Sequence, residues 1–583
     1  MKYITIRNQT LAENILATLV PDEPVFADIE TEVLYDKVRL IQLYQPSTID
    51  LVYIIDIDYV DLDTVKDMIR PLHTIWYGAN YDFGTLNMTT AKYDDIQLLM
   101  RTAYPSLPKF DLATVTKHLI LENIYDGLDK KALQKSGFKL GSVLSEEQLR
   151  YSATDVYALA ILWKLPKIQE TTKIFFYKVD MLLLDYTVQF QQNGAIVDTA
   201  GVRRELDKMP EIIEEEEKIL QGINSKSPKQ IKKAFETLLG YPPEKTDKTF
   251  LINTITEHEG TAVALFAKAV FDNRRSRLRV TNLEKLNRNN VITRFNPYGT
   301  VTGRYSSTGK DFDNGINFQN VTRDLQYLLA QDTEDTVVVH ADFSTAELRA
   351  GCSIMGDQQM RKYLLDGVDL HKVSAQLADK SITNLEDVTK EQRQKGKAVS
   401  FGLIFGMSWA RFKEYAYTDY GVVFTDEEAK AVKKEYQLKY PDVTNYHKYW
   451  WNNYKTEYVE SPMGRKNRPR LGTDAINFAT QSAIGETCKL AIHYLITDNK
   501  DKPVLKYLYS QVHDAIYLRV PKELGDEYGY LLAKAMMKAW TEILKLPMFK
   551  FKDIPIGVEF EVGANSIPVE VFSIEELDKW KQN

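Results

Sequence analysis

Two aspartates, each at the end of an apolar run and far apart in the chain, constrain the fold of this sequence more than any other feature. The segment TVVVHADFSTAELRA reads as a strand that carries Asp342 to its end and gives way at once to a helix. A carboxylate at a strand terminus is exposed and rigidly aimed. Much later, VLKYLYSQVHDAIYLRV reads as two β runs meeting near Ser510, with His513 and Asp514 at the bend. A hairpin bend brings Asp514 opposite Asp342 on one sheet. Two aspartates so placed suit two Mg2+ ions, one activating a hydroxyl and one holding a triphosphate. A His-Asp pair in a turn is by itself ordinary turn chemistry; its partnership with Asp342 gives it weight.

Between the two lies EQRQKGKAVSFGLIFGMS, in which Arg393, Lys397, Phe401 and Phe405 recur every four residues on one broad helical face. Arginine, then lysine, then aromatic rings suits a helix that holds phosphates at one end and stacks on a base at the other. Packing of the rings into a core explains the phenylalanines, but not why the glycine-containing FGLIFG follows a doubly basic face.

A second acidic constellation stands near the N-terminus. Asp28 and Glu30 lie two apart on the strand VFADIE, so both carboxylates share a face. On so apolar a strand that is costly unless a divalent cation binds there, and oxygen ligands select Mg2+ or Mn2+. Asp82 ends a hydrophobic run, TIWYGANYDF, that looks like a third strand after VFADIE and VRLIQLYQ. Tyr151 and Asp155 sit four apart on one helix face, and that helix opens with Ser145 and Gln148 in capping-box spacing. Four carboxylates and a phenol that orients water are the parts of two-metal phosphodiester hydrolysis. Each pair alone is weak evidence; the order D-x-E, D, Y-x-x-x-D within one domain-sized segment is far more specific.

At 583 residues the chain is too long for one hydrophobic core, so two or more domains are expected. The net charge of −7 decides nothing about nucleic acid, because DNA feels only the groove it occupies. The 2 cysteines, Cys352 and Cys488, cannot build a disulfide framework or a four-ligand zinc site. There is no signal-peptide layout, no bilayer-spanning apolar run and no P-loop; the expectation is a cytoplasmic, monomeric protein without membrane contact. Residues 201–290 are polar and helical, and the acidic run EIIEEEEKIL reads as a solvated helix face.

Residues 20–165 resemble the DnaQ-like 3′→5′ exonucleases, an RNase-H-like α/β fold. The resemblance implies metal ligands at Asp28, Glu30, Asp82 and Asp155, with Tyr151 positioning the water. Asn80 stands nearer its aspartate than the family pattern has it, which leaves its role open. From about residue 180 onward the chain resembles family A DNA polymerases: DFSTAELR matches motif A, RQKGKAVSFGLIFG motif B and QVHDA motif C. Between and around them stand NSKSPKQ, VTGRYSS, NFQN, DLH and AINFATQ. That resemblance implies a proofreading domain over 1–165 and a right-hand polymerase over 166–583. Within the hand, the thumb would fall near 201–290, the palm near 291–350 and 485–583, and the fingers near 351–484. It implies catalysis by Asp342, Asp514 and Lys397, and dNTP binding by His371, Arg393, Lys397, Phe401, Phe405 and Glu347, the last closing off the sugar 2′ position. It also implies DNA contacts from Arg304, Asn320, Asn477, Gln481 and His513, two Mg2+ per site with Mn2+ as substitute, and primer-template DNA and dNTPs as partners.

Three departures stand out. Ala515 replaces the usual motif C glutamate, Phe405 replaces a tyrosine, and Phe401 itself, rather than tyrosine, implies discrimination against dideoxynucleotides. A chain that begins at the exonuclease implies no preceding 5′-nuclease domain, a layout of phage- or plasmid-type replication. The alternative is a chain that is mainly a 3′→5′ exonuclease with a weak or inactive polymerase; Ala515 is its only support.

Overall fold

The computed structural model describes the chain except residues 34–35, 121–123, 130–131, 134–136, 311, 565 and 583. A six-stranded mixed sheet forms the first part, in the spatial order Tyr3–Ile6, Val52–Asp56, Asp36–Tyr44, Val25–Val33, His73–Trp76, Lys92–Asp95. Asp36–Tyr44 runs antiparallel to both its neighbours, and the remaining pairings are parallel. The two-residue period of Val25–Val33 sorts its side chains: Val25, Ala27 and Ile29 enter the core on one face, while Phe26 turns to the other with Asp28 and Glu30. The Glu146–Trp163 helix lies across that second face. It starts with the expected capping box, the Ser145 hydroxyl accepting the Gln148 N–H and the Gln148 amide oxygen accepting the Ser145 N–H.

The run around Asp82 differs from its reading as a strand. Only His73–Trp76 is extended; Gly78 turns left-handed at φ 85 and the chain enters the helix Ala79–Leu86, which carries Asp82. A glycine at positive φ ends the strand at no steric cost, and this the hydrophobicity of the run concealed.

The helix Phe175–Phe190 leads into four helices, Thr199–Leu220, Pro228–Leu239, Lys248–Glu257 and Ala262–Leu286, which build a small core of their own around Leu220, Phe235, Leu251 and Val270. A five-stranded antiparallel sheet follows, in the order Leu508–Val512, Ala515–Pro521, Thr336–Ser344, Gly557–Val562, Val569–Val571. The apolar run before His513 begins as a helical turn, Val504–Tyr507, so the two strands meet at 513–514 rather than near Ser510. The helices Gly472–Thr497 and Gly525–Leu544 pack against each other, and the second also packs on the sheet. Between Ser344 and Leu508 the chain is mostly helical, broken by the short strand pair Val459–Glu460 and Lys466–Asn467, and Lys390–Ile404 lies against Leu370–Ala378. That approach needs Gly396: a Cβ there would stand 1.9 Å from the His371 carbonyl oxygen. No helix among the described residues is long and apolar enough to cross a membrane.

A buried ionic cluster joins distant parts of the chain. Asp180 pairs with Arg465 and Lys489, all three nearly inaccessible. Beside them Glu486 accepts the Ser461 hydroxyl at 2.5 Å and the Met463 N–H at 3.1 Å. Burial pushes the Glu486 carboxyl up to about 7, against the pull of Ser461 and Arg465. A carboxyl raised in the fold binds its proton more tightly there than in the unfolded chain. Its contribution to stability is therefore present below its ordinary value and lost as pH rises through about 7. Glu486→Gln is expected to flatten the fall in Tm between pH 5 and 8, read by thermal melting; equal slopes for the two proteins would refute the shift.

Candidate active sites

At the N-terminal site, Asp28, Glu30 and Asp155 place carboxylate oxygens within 4.8 Å of one another. Asp82 is buried beside them, and its Oδ1 has no hydrogen-bond partner among the described residues. Burial first, then the charges of Asp28 and Asp95, hold the Asp82 carboxyl well above the usual carboxylate range. Tyr151 is buried, and its phenol is pushed up by burial and then by Asp155, Glu30 and Asp28. A second phenol, unforeseen from the sequence, belongs to Tyr125, whose hydroxyl donates to Asp155 Oδ1. The site has four carboxylates, an orphaned buried oxygen and no lysine or arginine among its named contacts. What it lacks electrostatically is positive charge, and its donors are hard oxygens; the residues fit divalent cations.

The second site is a cavity of about 1540 Å3 on the five-stranded sheet, lined by Asp342, Asp514, His513, Glu347 and Arg304 on one side and His371, Arg393, Lys397 and Phe401 on the other. Small-molecule sites run to roughly 300–1,000 Å3, so this one has room for more than a nucleotide. The sheet register pairs Ala341 with Ile516, two residues from Asp514, and on the other side of the strand sets Asp342 against Glu559. His513 occupies the tight bend with φ 56, a left-handed conformation. Two glutamines hold it. Gln319 accepts the His513 N–H at 3.2 Å and donates to the Gln511 carbonyl at 2.8 Å, while Gln511 donates to the His513 carbonyl at 2.7 Å. Neither glutamine was singled out in the sequence, because each acts on backbone and carries no charge; the NFQN match for Gln319 and the QVHDA match for Gln511 were the available signals.

Glu347 accepts a hydrogen bond from Gln481 at 2.8 Å and lies 3.5 Å from the Arg304 guanidinium. Burial raises its carboxyl, and Arg304 opposes the rise. Arg393 donates to Asp369 at 2.6 Å. His371 is buried, 3.1 Å from the Ser400 hydroxyl, with its ring 5.1 Å from that of Phe401. Burial, with Arg393 and Lys397 adding to it, pushes its imidazole down to about 4, so His371 offers a neutral ring at pH 7.

The four-residue period that grouped Phe405 with Arg393, Lys397 and Phe401 fails at its last member. The helix ends at Ile404; Phe405 is its C-cap at φ −95 and ψ 12, and the ring is buried in the core, outside the cavity lining. Asn477, on the helix Gly472–Thr497, and Asn320, exposed at the end of the short 3-10 turn Phe318–Asn320, also lie outside that lining.

Comparison with known proteins bears on the second site directly: the profile of DNA polymerase family A matches residues 199–567. The chain belongs to DNA polymerase family A. Among curated members of this family A polymerase's kin, DNA polymerase I of Aquifex aeolicus (strain VF5) is 27% identical over 91% of this chain and 94% of its own length. The thermostable DNA polymerase I of Thermus filiformis is 26% identical over 68% of this chain, which spans 49% of that longer protein. In fold, the family A chain matches a solved structure described as the POL domain of Pol1 from M. smegmatis in complex with DNA primer-template and dNTP. The TM-score is 0.72 at 17% identity, covering 97% of this chain and 99% of that one. The family A profile covers both aspartates and the helix of Arg393, and stops short of the N-terminal carboxylates.

Proposed function

We propose that this chain extends a DNA primer on a template with dNTPs at the Asp342–Asp514 site and trims primer 3′ ends at the Asp28–Glu30–Asp82–Asp155 site. The observation that carries the reading is the convergence of those four N-terminal carboxylates, with Tyr151, in a chain whose remainder belongs to a polymerase family. The division into an exonuclease over 1–165 and a hand over 166–583, with thumb, palm and fingers as the resemblance implies, is part of the same proposal. Support comes from the six-stranded mixed sheet under the carboxylates and the separate five-stranded sheet under the two aspartates.

Divalent ions, when bound, supply charge neutralisation and activation of the attacking oxygen at each site. The chain's own residues do the rest. Asp342 and Asp514 fix where the primer end and α-phosphate meet, which is most of what phosphoryl transfer asks of a protein. Arg393 and Lys397 hold the triphosphate, His371 contributes a neutral hydrogen-bonding ring, and Phe401 stacks on the incoming nucleotide. Arg304 and Gln481, with His513, Asn320 and Asn477, meet the primer-template, where minor-groove acceptors are shared by correct pairs. At the other site Tyr151 orients the attacking water.

Glu347, pinned by Gln481 and Arg304, is the residue to which the family resemblance gives the role of closing off the sugar 2′ position. Glu347→Ala is expected to raise ribonucleotide incorporation on the order of 10²-fold, measured by single-turnover insertion of a ribonucleotide against a deoxyribonucleotide. No change would remove Glu347 from sugar selection. The function itself is tested with the wild-type chain, Mg2+ and a 5′-labelled primer on a longer template. Extension with dNTPs and shortening without them are expected, and chelation stops both. A chain that shortens primers even with abundant dNTPs would be the exonuclease of the alternative reading.

A further inference from the structure

We propose that Tyr298 is a positioning residue for the trimming site: with the Asp95 carboxylate that it binds, its hydroxyl caps and places the helix that carries Asp82. The inference rests on the N-terminal carboxylates being a trimming site.

The helix Ala79–Leu86 begins at Gly78, which supplies no side-chain cap. Its first N–H groups are donors without partners inside the helix. Asp95 accepts two of them, from Gly78 at 3.0 Å and Ala79 at 2.9 Å, while also capping its own helix through Gln97 at 2.8 Å. The Tyr298 hydroxyl donates to Asp95 at 2.7 Å, onto the carboxylate oxygen that also accepts the Ala79 N–H. Both side chains are buried, Asp95 at 0% and Tyr298 at 4% exposure, so water cannot take over these bonds. At the helix's other end Gly84 lies against Arg294; a Cβ there would stand 2.3 Å from the guanidinium.

Asp82 sits between these two contacts, and both come from one stretch of the polymerase part. Arg294 starts the strand Arg294–Asn296, Tyr298 follows it, and Arg304, which reaches Glu347, ends the same turn. A metal-ligating carboxylate works only within about 0.5 Å of its productive place. The placing of Asp82 is thus held by Arg294 and Tyr298, the latter acting through Asp95, 203 positions before it in the chain.

The test uses the intact chain. Trimming of single-stranded DNA and extension of a paired primer are each titrated with Mn2+ for wild type and Tyr298→Phe. Mn2+ binding without DNA is followed by electron paramagnetic resonance, with Asp28→Ala as the background. Phenylalanine keeps the packed ring and removes only the hydroxyl. In Tyr298→Phe the Mn2+ needed for half-maximal trimming is expected to rise roughly tenfold, and Mn2+ binding above the Asp28→Ala background to weaken alike. Extension and its Mn2+ dependence stay within about twofold, the scatter of a distant independent site. Gly84→Ala, which presses on the helix from its other end, shifts trimming in the same direction. Wild-type Mn2+ dependence in Tyr298→Phe overturns the proposal, and so does an equal loss of both activities, which is what a merely structural role gives. A wild-type chain that extends but never trims fails at the earlier step and overturns the trimming reading itself.

Discussion

Asp342→Ala and Asp514→Ala are each expected to lower primer extension by on the order of 10³-fold while leaving trimming of single-stranded DNA in place. The expectation follows from where the two carboxylates stand. One is near the end of the central strand of the five-stranded sheet, the other in a two-residue bend pinned by Gln319 and Gln511. Rigid placement makes their charge available without reorganisation, and the other carboxylates of the cavity, Glu559 across the sheet from Asp342 and Glu347 held by Gln481 and Arg304, are fixed at positions of their own. Neither aspartate belongs to the hydrophobic core, so Tm is expected to change little. Single-turnover nucleotide insertion measures the loss. Extension within about tenfold of wild type in both variants would mean that the cavity is not where the chemistry occurs.

Asp82→Asn is expected to abolish trimming, again by on the order of 10³-fold, to leave extension intact, and to raise the Tm of the chelated protein. The third effect separates this account from simple damage to the fold. Asp82 is buried with Asp28 and Asp95 raising its carboxyl further, so the metal-free site holds like charges in a place that disfavours them. Asparagine relieves that repulsion at nearly the same volume. A site that is costly when empty and active when loaded is a familiar trade of stability for function. Melting with excess chelator, beside a trimming assay with Mg2+, reads both. An unchanged or lower Tm would show that the surrounding carboxylates do not repel as described, and persistent trimming would take Asp82 out of the site.

Much of both sites was legible because their residues sit at short, regular spacings. Asp28 and Glu30 share a face by strand period, Tyr151 and Asp155 by helix period, and the capping box marks where that helix starts. The bend at 513–514 was readable as two apolar runs broken by His-Asp, though the short helix Val504–Tyr507 had looked like the start of a strand. What stayed hidden depends on where periodicity stops or on contacts across the chain. Gly78 turns a hydrophobic run into a helix start, and Ile404 ends a helix one residue before Phe405, so equal spacing no longer means equal facing. Asp95 and Tyr298 are unremarkable in sequence; their meaning lies in one hydrogen bond between them that no local pattern announces.

The Asp180–Arg465–Lys489 cluster also bears on the order in which the chain is assembled during synthesis. Asp180 leaves the ribosome hundreds of residues before its partners, and a lone buried carboxylate is strongly disfavoured. The helix Phe175–Phe190 is itself held on the early sheet, by Tyr177 on Asp94, Tyr93 on the Met181 carbonyl and Leu184 in the core, so in a growing chain it carries Asp180 before that carboxylate has its cations. Only when Lys489 emerges is the charge of Asp180 fully paired, so a stalled or truncated chain ending before residue 465 carries that helix with an uncompensated carboxylate.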